Sequence, residues 1–308
     1  MIKTPAIRYI LPFLLIAFVG CAQTAPDDPL ALTDPIKNLI RICDEEHHFT
    51  VIVTPFDHAV WVYLPLEESF LHMKADSKGS SNSSVSTINP VIKYLDGKYQ
   101  DANFHLTYDI APSKGYAKSY GYKSEFSEDY KSKQRNLLTA IYRAFNEVND
   151  PPEFFVVILA DIINGLESRT FIHFEDLKRA YIDPSFHEEY AKRIISEQPL
   201  GNAEMIGDRT GESIHKSDIT WPEFLSKQMI FRVNFKYQRS AFPPSNNTRA
   251  ELLNIAADTV SAYNFTDFTS IELHDLNNNT NYSITREDLV GYRSEPPSEG
   301  RLIHIKFE

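Results

Sequence analysis

Along this chain the apolar positions keep two rhythms, and the change from one to the other recurs in the same order. The plainest case is Leu137 to Tyr181. Leu137, Leu138, Ile141, Tyr142, Phe145 and Val148 keep the spacing of one face of a helix. Pro151 and Pro152 end it, and Phe154 to Ile163 follows as an apolar, β-branched run that reads as a strand. Asn164-Gly165 is the dipeptide a type I′ hairpin favours, because both of its central residues take positive φ. Arg169 to Phe174 is then the return strand. Glu175 and Asp176 place carboxylates where a second helix begins, at the positive end of its dipole.

The same order is legible near both ends. Asp34-Pro35 opens a helix that runs to about Glu46. Phe49–Val53 and Ala59–Leu64 are strands on either side of Thr54–His58, and Glu67-Glu68 comes next. Toward the C-terminus, Thr248-Arg249-Ala250-Glu251 is a capping box. The helix behind it buries Leu252, Leu253, Ala256, Ala257, Val260 and Tyr263. Phe268–Leu276 and Tyr282–Thr285 flank the turn Asn277–Asn279, and Glu287-Asp288-Leu289 echoes Glu175-Asp176-Leu177. Setting Glu175 on Glu287, Asp161 on Asp275 and Leu137 on Leu252 gives offsets of 112, 114 and 115. The expectation is an α+β fold of antiparallel hairpins packed with helices, in three helix-strand-strand units. Each unit is too small to bury a core alone, so the units must pack together.

Between them the pattern is less regular. Residues 76–89 form a Ser-rich insertion. Phe104, Leu106, Tyr108 and Ile110 alternate as a strand with one buried face, with Val91–Leu95 as its expected partner. Tyr116, Tyr120, Tyr122 and Tyr130 crowd one polar segment, where aromatic rings either stack on a ligand or edge a core. A helix is expected from Pro184 or Ser185 to Glu197, then an irregular excursion to Ser217. Thr220 and Glu223 form a second capping box. Beyond Gln228 helix and strand readings compete, since Phe231, Val233, Phe235 and Tyr237 alternate strictly. Ile303, Ile305 and Phe307 mark a last strand.

The N-terminus narrows the setting. Lys3 and Arg8 precede the apolar run Ile10–Val19, which is too short for a permanent span. Phe18-Val19-Gly20-Cys21 resembles the lipobox of bacterial lipoproteins, with Phe18 where Leu, Ile or Val is usual. The resemblance implies cleavage before Cys21 and acylation of that cysteine. The alternative is a secretory signal cut after Ala22, which discards Cys21. The resulting plan is a signal peptide at 1–20, a lipidated Cys21 with a Pro- and Asp-rich tether to residue 34, an α+β body at 35–245, and a C-terminal helix-hairpin unit at 246–308 packing on it. With Cys21 acylated, Cys43 is alone, on the helical face of Ile36, Leu39 and Ile40, and reads as a small buried hydrophobe.

Composition and charge remove classes of function. A net charge of −11, which becomes −13 once Lys3 and Arg8 are cleaved away, argues against nucleic acid, and no basic run offsets it. No Gly-rich phosphate loop, nucleophile elbow or zinc cysteine set is present. Ser213-Ile214-His215-Lys216 matches an S-x-x-K but lacks its companion motifs. Asp44-Glu45-Glu46-His47-His48 lacks the i, i+4 histidine spacing of a helical metal site. Asp57, Asp161 and Asp275 recur near the end of the first strand of each unit and are candidates for acid, base or ligand, against the ordinary use of Asp at turns. No catalytic set, metal or cofactor is expected. The sequence points to a lipid-anchored protein of the bacterial envelope, facing periplasm or exterior, with a binding or assembly role toward an envelope protein or glycan. The alternative is a hydrolase acting on envelope polysaccharide or peptide through scattered carboxylates.

Overall fold

The structure is a computed structural model and describes residues 34–74, 90–112, 123–197, 200–238 and 247–289. Cys21, the tether, the Ser-rich insertion, Tyr116, Tyr120, Tyr122 and the terminal strand lie outside these residues. The first helix, α1 (Pro35–Arg41), starts as expected: the Asp34 carboxylate accepts from the backbone N–H groups of Ile36 and Lys37, and Pro35 fills the first turn. It runs on as one π-helical stretch, Ile42–Glu46, that carries buried Cys43. Burial pushes the Cys43 thiol up to about 12, which makes it an inert packing group.

The strands and helices then follow as β1 (Ile52–Pro55), β2 (Ala59–Leu66), β3 (Leu71–Lys74), β4 (Pro90–Gln100), β5 (Asn103–Pro112), β6 (Lys123–Phe126) and α2 (Glu128–Phe145). Next come β7 (Phe154–Asp161), β8 (Leu166–His173), α3 (Phe174–Ile182), α4 (His187–Arg193), β9 (Ile195–Ser196) and β10 (Leu200–Gly201). The chain continues with α5 (Trp221–Gln238), α6 (Thr248–Ala262), β11 (Ser270–Asp275) and β12 (Thr280–Thr285). The fold is α+β. The helix expected from 184 to 197 is shorter: a 3-10 turn and α4 end at Arg193, and Ile195–Ser196 pairs with β8 as a strand. No helix follows Glu67-Glu68, where the chain instead enters β3, which pairs with β6.

All three helix-hairpin units form, and a fourth hairpin, β4-β5, joins them. The hairpins combine in twos. In the first sheet, β1-β2 and β7-β8 meet along a parallel seam that pairs Ala59 with Phe154 and Leu66 with Asp161. In the second sheet, β4-β5 and β11-β12 meet along another, pairing Phe104 with Ile271 and Tyr108 with Asp275. Hairpin, parallel seam, hairpin is the path of both. The seams end alike, with Ile162 N–H donating to Leu66 O at 3.2 Å and Leu276 N–H donating to Tyr108 O at 2.9 Å.

The layers alternate. α1, α2 and α3 cover one face of the first sheet, where Leu39, Ile141, Phe145 and Leu177 pack on Val62, Val157 and Leu159. Its other face, with Trp61, Val156 and Ile158, rests on α5 and α6, which also cover Phe104, Leu106, Ile271 and Leu273 of the second sheet. Sandwiched in this way, α5 carries apolar groups on opposite sides. Phe224 meets the Phe154 ring at 4.8 Å, while Ile230 packs so tightly over β4 that a Cβ at Gly97 would lie 2.9 Å from it. A helix between two sheets has no single apolar stripe. That is why Phe231 to Tyr237 also fits a strand in sequence.

The turns differ from the sequence expectation in a consistent way. Asn164-Gly165 is not a type I′ pair: four residues, Ile162 to Gly165, link Asp161 to Leu166, and of these only Gly165 has positive φ, at 63°. The turn with two successive positive-φ residues is in the fourth hairpin, at Asp101 (51°) and Ala102 (63°). Gly165 is needed, because a side chain there would lie 2.7 Å from the Asn202 carbonyl oxygen. The C-terminal capping box also shifts by one residue. Asn247 is the cap, accepting from Ala250 N–H, and Glu251 pairs with Lys236 of α5.

Candidate functional site

A groove of about 610 Å³ opens where the edges of the two sheets come together over α5. Its floor is one stripe of that helix: Lys227, Ile230, Phe231, Asn234 and Phe235 follow i, i+3, i+4, i+7, i+8. Its walls are of another kind. Leu95, Asp96 and Gly97 are consecutive residues of β4, the terminal strand of the second sheet among the described residues. Side chains of a strand alternate between faces, so three in a row line one cavity only where the strand presents its backbone edge. Ile195, Ser196 and Glu197 line the opposite wall in the same manner, with half-exposed Leu200 beside them.

The polar groups in the groove differ in how far they are committed. Lys227 Nζ lies 2.9 Å from Glu197 Oε1 and 4.5 Å from the centre of the Phe171 ring, so its charge is held between the two. Asp96 forms no ion pair, and the Asn234 amide no hydrogen bond, among the described residues. The site is thus an apolar slot with one committed cation and, among the described residues, one open amide, while the unpaired Asp96 carboxylate is on the outer face of the β4 wall.

The aspartates singled out in the sequence are elsewhere. Asp161 Oδ1 accepts from the N–H groups of Ile163 (3.2 Å) and Asn164 (2.9 Å), and Oδ2 from Asn164 Nδ2 (2.8 Å) and Phe70 N–H (3.3 Å). Asp275 repeats the arrangement with Asn277 (2.9 Å) and Asn278 (3.2 Å and, through Nδ2, 2.8 Å). Both are turn-builders, and Asp161 is fully buried. Asp57 sits exposed at the tip of β1-β2 and does not build its turn. That role passes to distant Asp218, which accepts from His58 and Ala59 N–H at 3.0 Å each. Its bond to His58 Nδ1, at 2.6 Å, raises the imidazole above the ordinary histidine range. The three aspartates do not converge.

Ser213 and Lys216 are also engaged locally. Ser213 Oγ donates to Asp208 Oδ2 at 2.6 Å, and Lys216 Nζ to Gly211 O at 2.7 Å. Burial would push the Asp208 carboxyl up, but the donors of Ser213 and Thr210 hold it well below the usual range. At the end of α1, Glu46 is fixed by Arg143 and His47 stacks on Phe49. Among the described residues no group of three His, Cys, Asp or Glu side chains is placed to hold a metal ion, and no helix is long and apolar enough to cross a membrane.

The sequence hides a polar cluster, none of whose members lines the groove. Asp176, read from sequence only as a helix-start carboxylate, is buried and receives Arg193 Nη1 at 3.1 Å and the Tyr263 hydroxyl at 2.8 Å, with His173 Nδ1 at 3.3 Å. Burial pushes its carboxyl up, but the His173 imidazole, the Arg193 charge and the Tyr263 hydroxyl outweigh this and hold it below the usual range. Trp221, Phe224 and Tyr263 rings enclose His173, and the Arg193 guanidinium stacks on Phe186 and Tyr263. The cluster ties β8, α3, α4 and α6 together. Its sequence trace is only the i, i+3 pair His173 and Asp176. No family model matches this chain, and neither a curated protein nor a solved structure does.

Proposed function

We propose that this chain is a lipid-anchored protein of the bacterial envelope whose α+β body binds an envelope partner and does not act on it chemically. The observation that carries the reading is the groove, an apolar helical floor between two strand edges, which offers contact area and backbone hydrogen-bonding groups. A hydrolase working through scattered carboxylates needs two of them facing each other across a cleft. Here Glu197 is held by Lys227, Asp275 accepts three hydrogen bonds within its own turn, and Asp161 accepts three within its turn and one from Phe70 N–H. The anchor follows from the N-terminal pattern and from Cys21.

Two experiments test the reading separately. Cys21→Ser is expected to leave the signal uncut and to change membrane fractionation; unchanged mature size and fractionation would sink the anchor. Cross-linking in intact cells is expected to trap the body on an envelope protein, and recovery of none would overturn the binding role.

A further inference from the structure

The same groove limits what its occupant can be, and the inference drawn here rests on the binding role proposed above. The walls supply backbone edges, so the complementary object is another backbone edge. From Lys227 to Phe235 the floor rises about 12 Å along the helix axis. That length matches about four residues of extended chain. A folded domain presents a surface too broad for such a slot, whereas a single strand fits it.

We propose that the groove takes an extended peptide segment of its partner, which adds to the edge of β4 that is unpaired among the described residues and turns alternate apolar side chains onto Ile230, Phe231 and Leu200. Asn234 fixes it by the backbone: its side-chain N–H₂ donates to a peptide carbonyl and its oxygen accepts a peptide N–H. An amide left open in an apolar floor recovers the cost of its desolvation only against a partner that offers both. Charge sets the remaining preference. Lys227 is neutralised by Glu197, while the exposed Asp96 carboxylate, on the face of β4 opposite Gly97, forms no ion pair among the described residues, so this strand edge carries an uncompensated negative charge on a chain of net charge −11. The occupant therefore carries Lys or Arg at a polar position beside Asp96.

The probe is a pooled library of synthetic nonapeptides in which random apolar and random polar residues alternate, offered to the full lipidated chain in detergent micelles. Retained peptides are expected to be enriched in Lys and Arg at one polar position. N-methylation of alternate backbone amides is expected to abolish retention. Asn234→Ala is expected to lower affinity for the retained peptides about tenfold, the worth of one paired amide. Asp96→Lys is expected to reverse the enrichment to Asp and Glu. Both groups lie at the surface, and unchanged near-ultraviolet circular dichroism would show that the variants fold. A library that yields no enrichment, or peptides that bind both variants as well as the unaltered chain, overturns the peptide assignment. If cellular cross-linking still recovers a partner in that case, the binding role stands and only the groove's occupant is wrong; if neither method yields a ligand, both fall.

Discussion

The two sheets follow one path, yet they are buried differently. In the first, every residue of β7 is buried, because helices lie on both faces. In the second, β5 and β11 bury Leu106, Ile271 and Leu273 against α6 and α5, while His105, Thr107, Glu272 and His274 remain half-exposed on the far face. The matching turns put Asp161 on Asp275, and so Ile158 on Glu272 and Ala160 on His274. The difference between the sheets is concentrated in those positions. A continuous apolar strand and an alternating one record how many layers cover a sheet, not how its strands connect. The back of the second sheet carries His105 Nδ1 at 3.1 Å from Glu272 Oε2, where the back of the first carries aliphatic packing.

Exchanging those positions gives the sharpest break in the comparison. Ile158→Glu puts a charge between two layers with no partner and is expected to prevent stable folding, since several kcal/mol is most of a domain's stability. Loss of the cooperative thermal transition is the readout. Next in size is Asp176→Ala, expected to cost about 3–4 kcal/mol because it removes one of the two carboxylates that hold buried Arg193, leaving Glu189 on Nε at 3.0 Å, and strands the Tyr263 hydroxyl, as measured by urea unfolding. The folded-state pKa of Asp176 is depressed, so its contribution is complete above the unfolded value and is lost as pH falls through the folded one. Acid titration of stability is therefore expected to fall below about pH 4, and less so in Asp176→Asn. A smaller contrast separates the twin turns. Asp161→Ala, which also strands Phe70 N–H in the core, is expected to cost about 3 kcal/mol and Asp275→Ala about 1–2; equal losses would mean that burial does not distinguish them. Ala102→Gly is expected to stabilise the fourth hairpin by about 1 kcal/mol, since an alanine at φ 63° is strained. Smallest is Glu272→Ile, the reverse exchange, expected to change stability by less than about 0.5 kcal/mol.

Sequence reveals the local half of this architecture. Helix-hairpin order, the Asp34 cap, the acidic start of α3 and the twin aspartate turns are written within a few residues of where they act. The β4-β5 hairpin was legible as two strands, because Phe104 to Ile110 alternate. The parallel seams were not, since Phe104 and Ile271 are brought together only by the packing of everything between them. The groove was invisible for the same reason: α5 supplies its floor, and two strands far apart in the chain supply its walls. Lys227 to Phe235 shows no sequence feature beyond a helix that is apolar on several sides. Asp176 does stand in the first turn of α3, but its buried pairing is not legible in sequence, because its partners Arg193 and Tyr263 come from other elements.

The order in which hairpins enter the two sheets bears on how the molecule assembles. Along the chain they alternate, first sheet, second, first, second, so neither seam can close from one contiguous stretch. Until β11 reaches β5, the second sheet is a lone β4-β5 hairpin, and lone hairpins are marginal in water. α5, which packs on β4, follows it only after the whole of the first sheet's second hairpin has been made. Such long-range closures make folding slow and leave apolar edges waiting for partners. During synthesis the second sheet would therefore stay open until its last hairpin emerges, long after both hairpins of the first sheet have been made.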